Sequence, residues 1–324
     1  MKKCLIIGAG QLGSRHLQGM LKSKIALDVY VLDTNLKSIS VAKDRAAEIE
    51  SKHKLTFLDK FENLLPESFD LVIIATNANI RAKLILQLLQ VKKVQFLVLE
   101  KVLFQEIASF ERISKILIKN NVKTYVNHCR RMFESYQELK NELDNSQITS
   151  YNAFGGHWGL GCNALHFIDL FVFLSNSNLV ELNTTGLDNA VIESNRIDYV
   201  EFTGTLLGKL ANGSQISISS ISDEATAVTV SIFNCSNRVV VQESGLPMIY
   251  NLEKSNQFKC EEKPFIIEYQ SNLTTKIIDQ LFSLNQCDLP TFDEATQSHK
   301  IFIEALLTKY NEITNLNSKI LPIT

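Results

Sequence analysis

The chain lacks an excess of charge of either sign. Its 33 lysines and arginines against 35 aspartates and glutamates leave a net charge of −2 over 324 residues. That balance argues against nucleic acid as a partner, and no basic amphipathic segment suits a membrane surface. Long apolar runs are missing too. The opening "MKKCLII" starts like a signal peptide, but its apolar run stops at Gly8 after four residues, too short for a secretion signal or a membrane span. Six cysteines (Cys4, Cys129, Cys162, Cys235, Cys260 and Cys287) form no CxxC pair. Their spacing suits neither a zinc site nor a disulfide framework and reads as free thiols in a reducing compartment; the expected location is the cytoplasm. There is no P-loop, no G-x-S-x-G and no H-E-x-x-H, and the six histidines do not gather at ligand spacing, so no metal is expected. Internal repeats, low-complexity tracts and long linkers are absent as well.

What the chain does have is apolar content, 45%, enough for a substantial core and, at this length, two domains. Up to about Tyr125, short β-rich runs ("KCLIIGAG", "ALDVYVLD", "KLTFLD", "DLVIIAT", "FLVLEK", "KTYVNHC") alternate with longer runs of helical spacing. Strands such as "LVII" and "FLVL" are apolar throughout, as strands covered on both faces are. The alternation predicts an α/β, doubly wound parallel sheet over residues 1–125. Residues 126–324 follow a different grammar. A helix "FESYQELKNEL", a strand "ITSYNAFGGHW" and a helix "NALHFIDLFVFL" precede a strand-rich region from Leu179 to Lys259, including "YVEFTGTLLGKL", "SQISISSIS", "AVTVSIFNC" and "RVVVQES". Tight turns such as "LANGSQ" and "NCSNR" predict hairpins in an open, predominantly antiparallel sheet, an α+β domain closed by helices around 264–284 and 293–313.

One turn carries chemistry. Gly8, Gly10 and Gly13 spell G-x-G-x-x-G after an apolar strand and before a helical run, and Asp33 ends the next strand 20 residues after Gly13. Gly8 permits the tight turn, Gly10 lets backbone approach a pyrophosphate, and Gly13 lets the helix pack close to the strand. The phosphates would lie at the helix N-terminus, against the backbone of Gln11 and Leu12, where N–H groups lack partners. Asp33 can accept from both ribose hydroxyls and would repel a 2′-phosphate, which favours NAD over NADP.

With these residues in place, the chain resembles the Gfo/Idh/MocA family, named for glucose–fructose oxidoreductase and inositol dehydrogenase. "IIGAGQLGSRH" is similar to the family's opening, including its basic-His ending at Arg15 and His16. "LVIIATNANI" resembles the strand-four segment that contacts the cofactor, here through Thr76 and Asn77. "LVLEKV" resembles the EKP motif, "VNHCRRMF" the following strand and arginine, "LHFID" the helix motif, and "LPTFDEATQSHKIFIEALLTKYN" the closing helix. The resemblance implies a Rossmann domain and a substrate-binding, oligomerising domain, with substrate in the cleft between them. It further implies hydride transfer between a nicotinamide and a sugar, a sugar derivative or a cyclitol. Lys101 falls on the lysine that contacts the reacting hydroxyl and the nicotinamide ribose, Glu100 on its companion carboxylate, and His166 on the histidine assigned as general acid/base. Three positions depart from the pattern. Val102 replaces the proline of EKP, Arg81 stands near the family's histidine, and Cys162 stands where the family often has an aspartate, four before His166. Asn163 is the nearest polar replacement; it can orient a hydroxyl but cannot take its proton.

Oxidising an alcohol requires a proton acceptor within hydrogen-bond reach of the hydroxyl. Histidine titrates in the right range unaided, and a lysine does so when burial and a neighbouring cation depress it. Lys101 follows an apolar strand and should emerge at the carboxyl edge of the sheet, where α/β ligands bind. Asn163 and His166, three apart, share a helix face, as do Cys162 and His166; Asp169 either orients the imidazole or makes a packing contact. Lys101, His166 and Asn163 form the expected catalytic set. Glycines 155, 156, 159 and 161 let backbone approach something closely. Trp158, the one tryptophan, either stacks on a sugar ring or fills the seam between domains. Arg131, with Arg130, either binds an anionic substrate such as a sugar acid or nucleotide diphosphate, or forms a structural ion pair. An uncovered apolar face on the second sheet predicts a homodimer or homotetramer. The leading expectation is an NAD(P)-dependent oxidoreductase for carbohydrate-like substrates. The alternatives are a non-catalytic dinucleotide-dependent regulator or sensor, and reduction of a non-sugar carbonyl or C=C bond.

Overall fold

Apolar runs without alternation build the first sheet. Strands β1 (Lys2–Ile7), β2 (Leu27–Leu32), β3 (Lys54–Leu58), β4 (Ser68–Ile74), β5 (Lys93–Leu99) and β6 (Lys123–Val126) lie in the order β3-β2-β1-β4-β5-β6, every pair parallel. These coordinates are a computed structural model describing residues 1–61, 65–143, 147–221 and 224–324. Leu5, Ile6, Val72, Ile73, Leu97 and Val98 are completely buried, because helices cover both faces of a parallel sheet. Each such side chain adds roughly 1.5–3 kcal/mol over its exposed state. The connecting helices are α1 (Gln11–Leu21), α2 (Leu36–Ala47), α3 (Ala78–Val91) and α4 (Ile107–Lys119).

Residues 1–104, 108–129 and 268–294 form this first compact unit. The chain therefore returns to it through α7 (Gln270–Leu284), far beyond residue 125, where the sequence pattern changes. Gly19 of α1 makes the return possible. A Cβ there would lie 2.3 Å from the Ser271 carbonyl oxygen, and Thr275 Oγ1 donates to the Gly19 carbonyl at 2.8 Å.

The second unit comprises residues 105–107, 130–267 and 295–324. It contains α5 (Glu134–Glu142), β7 (Ser150–Gly156), α6 (Leu160–Ser175), β8 (Leu179–Asn183), β9 (Leu187–Glu193), β10 (Val200–Leu210), β11 (Gln215–Ile221), β12 (Thr229–Phe233), β13 (Asn237–Gln242), β14 (Met248–Glu253), β15 (Cys260–Pro264) and most of α8 (Phe292–Thr314). The sheet runs β15-β14-β13-β12-β7-β11-β10-β8, with β9 on β10. Only β7 and β11 pair in parallel; the other pairs are antiparallel. The expected mixed architecture, a parallel sheet plus a predominantly antiparallel one, is the observed one. Ser222, the last residue of the expected strand "SQISISSIS", lies outside the described residues.

Helix α6 is apolar on nearly every side, and it packs on the inner sheet face: Phe171 meets Tyr151 of β7 with ring centroids 5.4 Å apart, and Phe202, Leu206, Ile216 and Ile218 are fully buried. It stops at Asn176, whose left-handed conformation (φ 49) returns its N–H to the Val172 and Phe173 carbonyls. The opposite sheet face is less apolar than expected. Side chains alternate along each strand, so the residues facing away from Tyr151 form rows such as Ser231–Asn152–Ser217–Leu207 and Thr229–Phe154–Ser219–Thr205. Hydroxyls and amides dominate these rows; Phe154 and Leu207 are their exposed apolar members.

The last helices differ in where they begin. The helix expected from residue 264 starts at Gln270, because Pro264 still belongs to β15 and closes its pairing with Met248 of β14.

Candidate functional site

The glycine turn has the geometry its spacing predicts. Gly8 adopts φ +97, and a Cβ on it would lie 2.8 Å from the Ala75 carbonyl oxygen. A Cβ on Gly13 would sit 1.8 Å from the Gly8 carbonyl oxygen, so α1 and the end of β1 touch backbone to backbone. A Cβ on Gly10 would meet nothing within 4 Å; that side of the turn is open. Gly10 is also the N-cap of α1, and no side chain caps the helix. The first-turn N–H groups are thus left for an external acceptor, and the helix dipole favours an anion there. Arg45 of α2 fixes the outside of the turn, donating to the Gln11 carbonyl at 3.0 Å, Ser14 Oγ at 2.6 Å and Gln11 Oε1 at 2.6 Å. Leu12 stays partly exposed beside it.

Asp33 stands at the end of β2. Its Oδ2 accepts from the Ala9 N–H at 2.7 Å and its Oδ1 from the Asn35 N–H at 2.8 Å, one donor per oxygen, which leaves lone pairs for ribose hydroxyls. Next to it is a cavity of about 500 Å³ whose lining includes Gly8, Asp33, Thr34, Phe61 and Thr76. Asn77 caps α3 by position but not by a side-chain bond. An open glycine turn, an uncapped helix and a carboxylate facing an adjacent cavity fit a dinucleotide.

Lys101 follows β5 at the carboxyl end of the same sheet and is half-buried; the Lys101–Val102 peptide bond is cis. Two buried arrangements hold this segment. Arg81 is itself buried and donates to the carbonyls of Val102, Leu103 and Thr76, so one guanidinium joins the strand-four turn to the lysine loop. On the other side Glu100 Oε1 meets His16 Nε2 at 2.9 Å and Asn127 Nδ2 at 2.6 Å. His16 Nδ1 lies 2.8 Å from Thr274 Oγ1 on α7.

In the second unit, Asn163 and His166 occupy the partly exposed face of α6, with Cys162 buried beside them. Asn163 Nδ2 donates to the Trp158 carbonyl at 3.0 Å and so holds the preceding loop. Trp158 itself is fixed within this unit: Nε1 donates to the Ser219 carbonyl at 2.8 Å, and its ring meets Phe167 edge-on, centroids 5.4 Å apart. What the glycines of this loop approach is also now visible. Gly159 and Gly161 leave room for Glu201 of β10; a Cβ on Gly161 would lie 2.9 Å from Glu201 Oε2. That buried carboxylate accepts from the Cys162 N–H at 3.3 Å, capping the first turn of α6. Thus a carboxylate from another strand stands at the turn where the sequence has Cys162.

Of the two arrangements expected for the arginines, the structure shows ion pairs. Arg131, expected as a candidate for an anionic substrate, directs Nε and Nη2 to Asp169 Oδ2 and Oδ1 at 2.7 and 2.8 Å. Asp169 accordingly orients a guanidinium through both oxygens. Arg130 forms the same forked pair with Glu243, at 2.8 and 2.6 Å, and stacks on Phe167 at 4.5 Å. Breaking one such buried pair costs about 3–5 kcal/mol; both arginines are structural anchors.

The Arg130–Glu243 pair has a pH signature. Burial pushes the Glu243 carboxyl up, but the charge and hydrogen bonds of Arg130, with the Tyr136 hydroxyl, bring it below the ordinary carboxylate range. Burial, and then Glu243, pushes the Tyr136 phenol well up, so it remains a donor, 2.6 Å from Glu243 Oε1. A carboxyl held low in the folded state stabilises the fold above its unfolded-state pKa, and this is lost as the pH falls through the folded value. Urea unfolding should show Glu243→Gln less stable than the parent at pH 7, with the gap narrowing below about pH 4. A gap independent of pH would show that the charge contributes nothing.

A family model described as "Oxidoreductase family, NAD-binding Rossmann fold" matches residues 2–128. No curated protein matches the chain significantly. Among solved structures, UDP-N-acetylglucosamine 3-dehydrogenase from Acidithiobacillus ferrooxidans is 16% identical, with 97% of this chain and 98% of that one covered, at a TM-score of 0.69. The myo-inositol 2-dehydrogenase of Lactobacillus plantarum is 17% identical over 95% and 97%, TM-score 0.68. The transcriptional regulator Gal80p of Kluyveromyces lactis is 13% identical over 96% and 92%, TM-score 0.68. At such identities the likeness shows a shared fold. Among the described residues no helix is long and apolar enough to cross a membrane. Over residues 2–128 the chain matches the model of the Gfo/Idh/MocA oxidoreductases, and its six-stranded parallel sheet has the layout of that model's NAD-binding Rossmann fold.

Proposed function

We propose that this chain is an NAD-dependent oxidoreductase acting on a hydroxyl or carbonyl carbon of a sugar, a sugar derivative (a nucleotide sugar or sugar acid) or a cyclitol. One observation carries the reading. The open glycine turn, Asp33 and Lys101 all lie at the carboxyl ends of strands of one parallel sheet, the edge at which such sheets bind ligands. NAD, when bound, supplies the hydride acceptor or donor. Gln11, Leu12 and Gly13 offer backbone N–H groups to its phosphates, Asp33 accepts from the ribose, and Thr76, Asn77 and Glu100 line the remainder. The Asp33 charge disfavours a 2′-phosphate, hence NAD over NADP. Lys101 Nζ takes the hydroxyl proton in oxidation and returns it in reduction. On α6, His166 serves in this reading as a proton carrier and Asn163 as an orienter, with Trp158 as an apolar surface for a sugar ring. The two dehydrogenases of like fold, which by name act on a nucleotide sugar and a cyclitol, support this substrate class. The same reading expects a homodimer or homotetramer stacked through the outer face of the mixed sheet.

A second reading, a dinucleotide-dependent regulator without turnover, draws on Cys162 at the aspartate position and on the Gal80p fold likeness. Calorimetry with NAD+ and NADH, followed by a panel of sugars, nucleotide sugars and polyols read at the reduced-nicotinamide absorbance band, separates them. Binding with an absorbance change on some member supports the oxidoreductase. Binding without change on any member favours the regulator, and no binding of either coenzyme overturns both.

A further inference from the structure

We infer that Arg81 is a positioning residue for Lys101: its buried guanidinium fixes the loop after the lysine to the turn that lines the coenzyme cavity. The inference rests on the coenzyme site and the role of Lys101 proposed above.

Three carbonyls meet one side chain. Arg81 Nη1 donates to the Val102 carbonyl and, at 3.1 Å, to the Leu103 carbonyl, while Nη2 donates to the Thr76 carbonyl. β4 and β5 pair in parallel up to Ile74 and Leu99, so Thr76, Val102 and Leu103 lie beyond the strand ends and outside their ladder. Val102 and Leu103 are fully buried, and a buried carbonyl that has left the ladder needs another donor. A planar guanidinium presents its N–H groups as a fixed fork, so it sets the spacing of its acceptors as well as satisfying them. Thr76 lines the same cavity as Gly8 and Asp33, and Val102 directly follows Lys101. Two nitrogens of one rigid group thus span from the coenzyme turn to the lysine loop.

The place of Arg81 argues for more than filled space. It is 1% exposed and stands in the first turn of α3, where the helix dipole disfavours a cation. A leucine would fill the volume without burying a charge there. Carbonyl dipoles turned toward the guanidinium offset that burial. Without this donor, the carbonyls next to Lys101 would be left short of a partner in an apolar setting, and the loop would shift toward water. Such a shift matters at a reacting group, because a displacement of about 1 Å costs on the order of a hundredfold in rate.

The test reads the placement of Lys101 directly, by brief acetylation of the full chain without coenzyme and mass spectrometry of each lysine. Arg81→Gln should raise labelling of Lys101 about fivefold or more, while Lys83, exposed on the same helix, stays at its wild-type rate. Arg81→Lys keeps the charge without the fork and should give a smaller rise, about twofold. Leu88→Ala destabilises α3 through a buried cavity instead and should leave Lys101 unchanged. On a substrate from the panel, Arg81→Gln should lose about a hundredfold in kcat with KM and the Kd for NAD+ within about threefold, and Arg81→Lys should recover about tenfold of the loss. Wild-type labelling of Lys101 in either folded Arg81 variant overturns the inference. An equal rise in Leu88→Ala, or an unchanged kcat in folded Arg81→Gln, does so too. If Arg81→Gln does not fold, Arg81→Lys decides. If the wild type binds neither coenzyme, the proposed function fails instead, and the labelling still decides whether Arg81 places Lys101.

Discussion

Replacing Lys101 by alanine should lower turnover about a thousandfold on whichever substrate the panel identifies, while the affinity for NAD+ changes by less than about fivefold. The magnitude is that of a proton acceptor removed from the reacting oxygen. The selectivity follows from the separation of tasks along the sheet edge. In the proposed site, phosphate and ribose contacts fall to the glycine turn and to Asp33, just after β1 and β2, whereas Lys101 follows β5. Arg81 holds the Val102 and Leu103 carbonyls and His16 meets Glu100, so the loop should keep its path in the variant. Steady-state kinetics beside calorimetry measures both quantities. Turnover that survives intact would remove Lys101 from the reaction and leave His166 as the proton carrier.

The second large effect separates two glycines three residues apart. Gly13→Val should destabilise the fold by about 3 kcal/mol or more, a fall of roughly 10 °C in melting temperature. The added Cβ would stand 1.8 Å from the Gly8 carbonyl oxygen. That carbonyl cannot swing aside, because Gly8 is held at φ +97 against the Ala75 carbonyl. Gly10→Ala should leave the melting temperature within about 2 °C, since Gly10 has φ −64 and its Cβ direction is empty of protein. Yet it should weaken NAD+ at least tenfold, because the methyl group enters the space reserved for the pyrophosphate. Full affinity in Gly10→Ala would place the phosphates elsewhere; an unaltered melting temperature in Gly13→Val would contradict the contact itself.

The two parts of the fold were unequally legible. Strands β1, β4 and β5 announce themselves because burial on both faces demands unbroken apolar runs, and the turn with Asp33 is local chemistry at fixed spacing. β15 ("CEEKP") is exposed along its whole length at a sheet edge, so nothing in its side chains marks a strand. The same absence of a buried face hid β9, most of whose residues are exposed or half-buried. At the site, Gly159 and Gly161 signalled a close approach without naming Glu201, because the partner lies about forty residues away on β10. Likewise "SRH" ends a recognisable motif, but what His16 does depends on Thr274, 258 residues later. Side-chain networks closed by distant segments leave no periodic trace. The arginines illustrate the opposite limit: two adjacent guanidiniums suggested either an anionic ligand or an ion pair, and only the positions of Glu243 and Asp169 show them engaged by the protein's own carboxylates.

The return of α7 to α1 has a consequence for biosynthesis. A nascent chain that has emerged only as far as Cys129 owns all six parallel strands but leaves the notch at Gly19 bare and the His16 ring without its Thr274 hydroxyl partner. The coenzyme-binding half is therefore finished late, after the polypeptide between residues 130 and 267 has been made. An excised segment ending at Cys129 should behave as a sticky intermediate rather than as an independent module, however self-sufficient its strands look on paper.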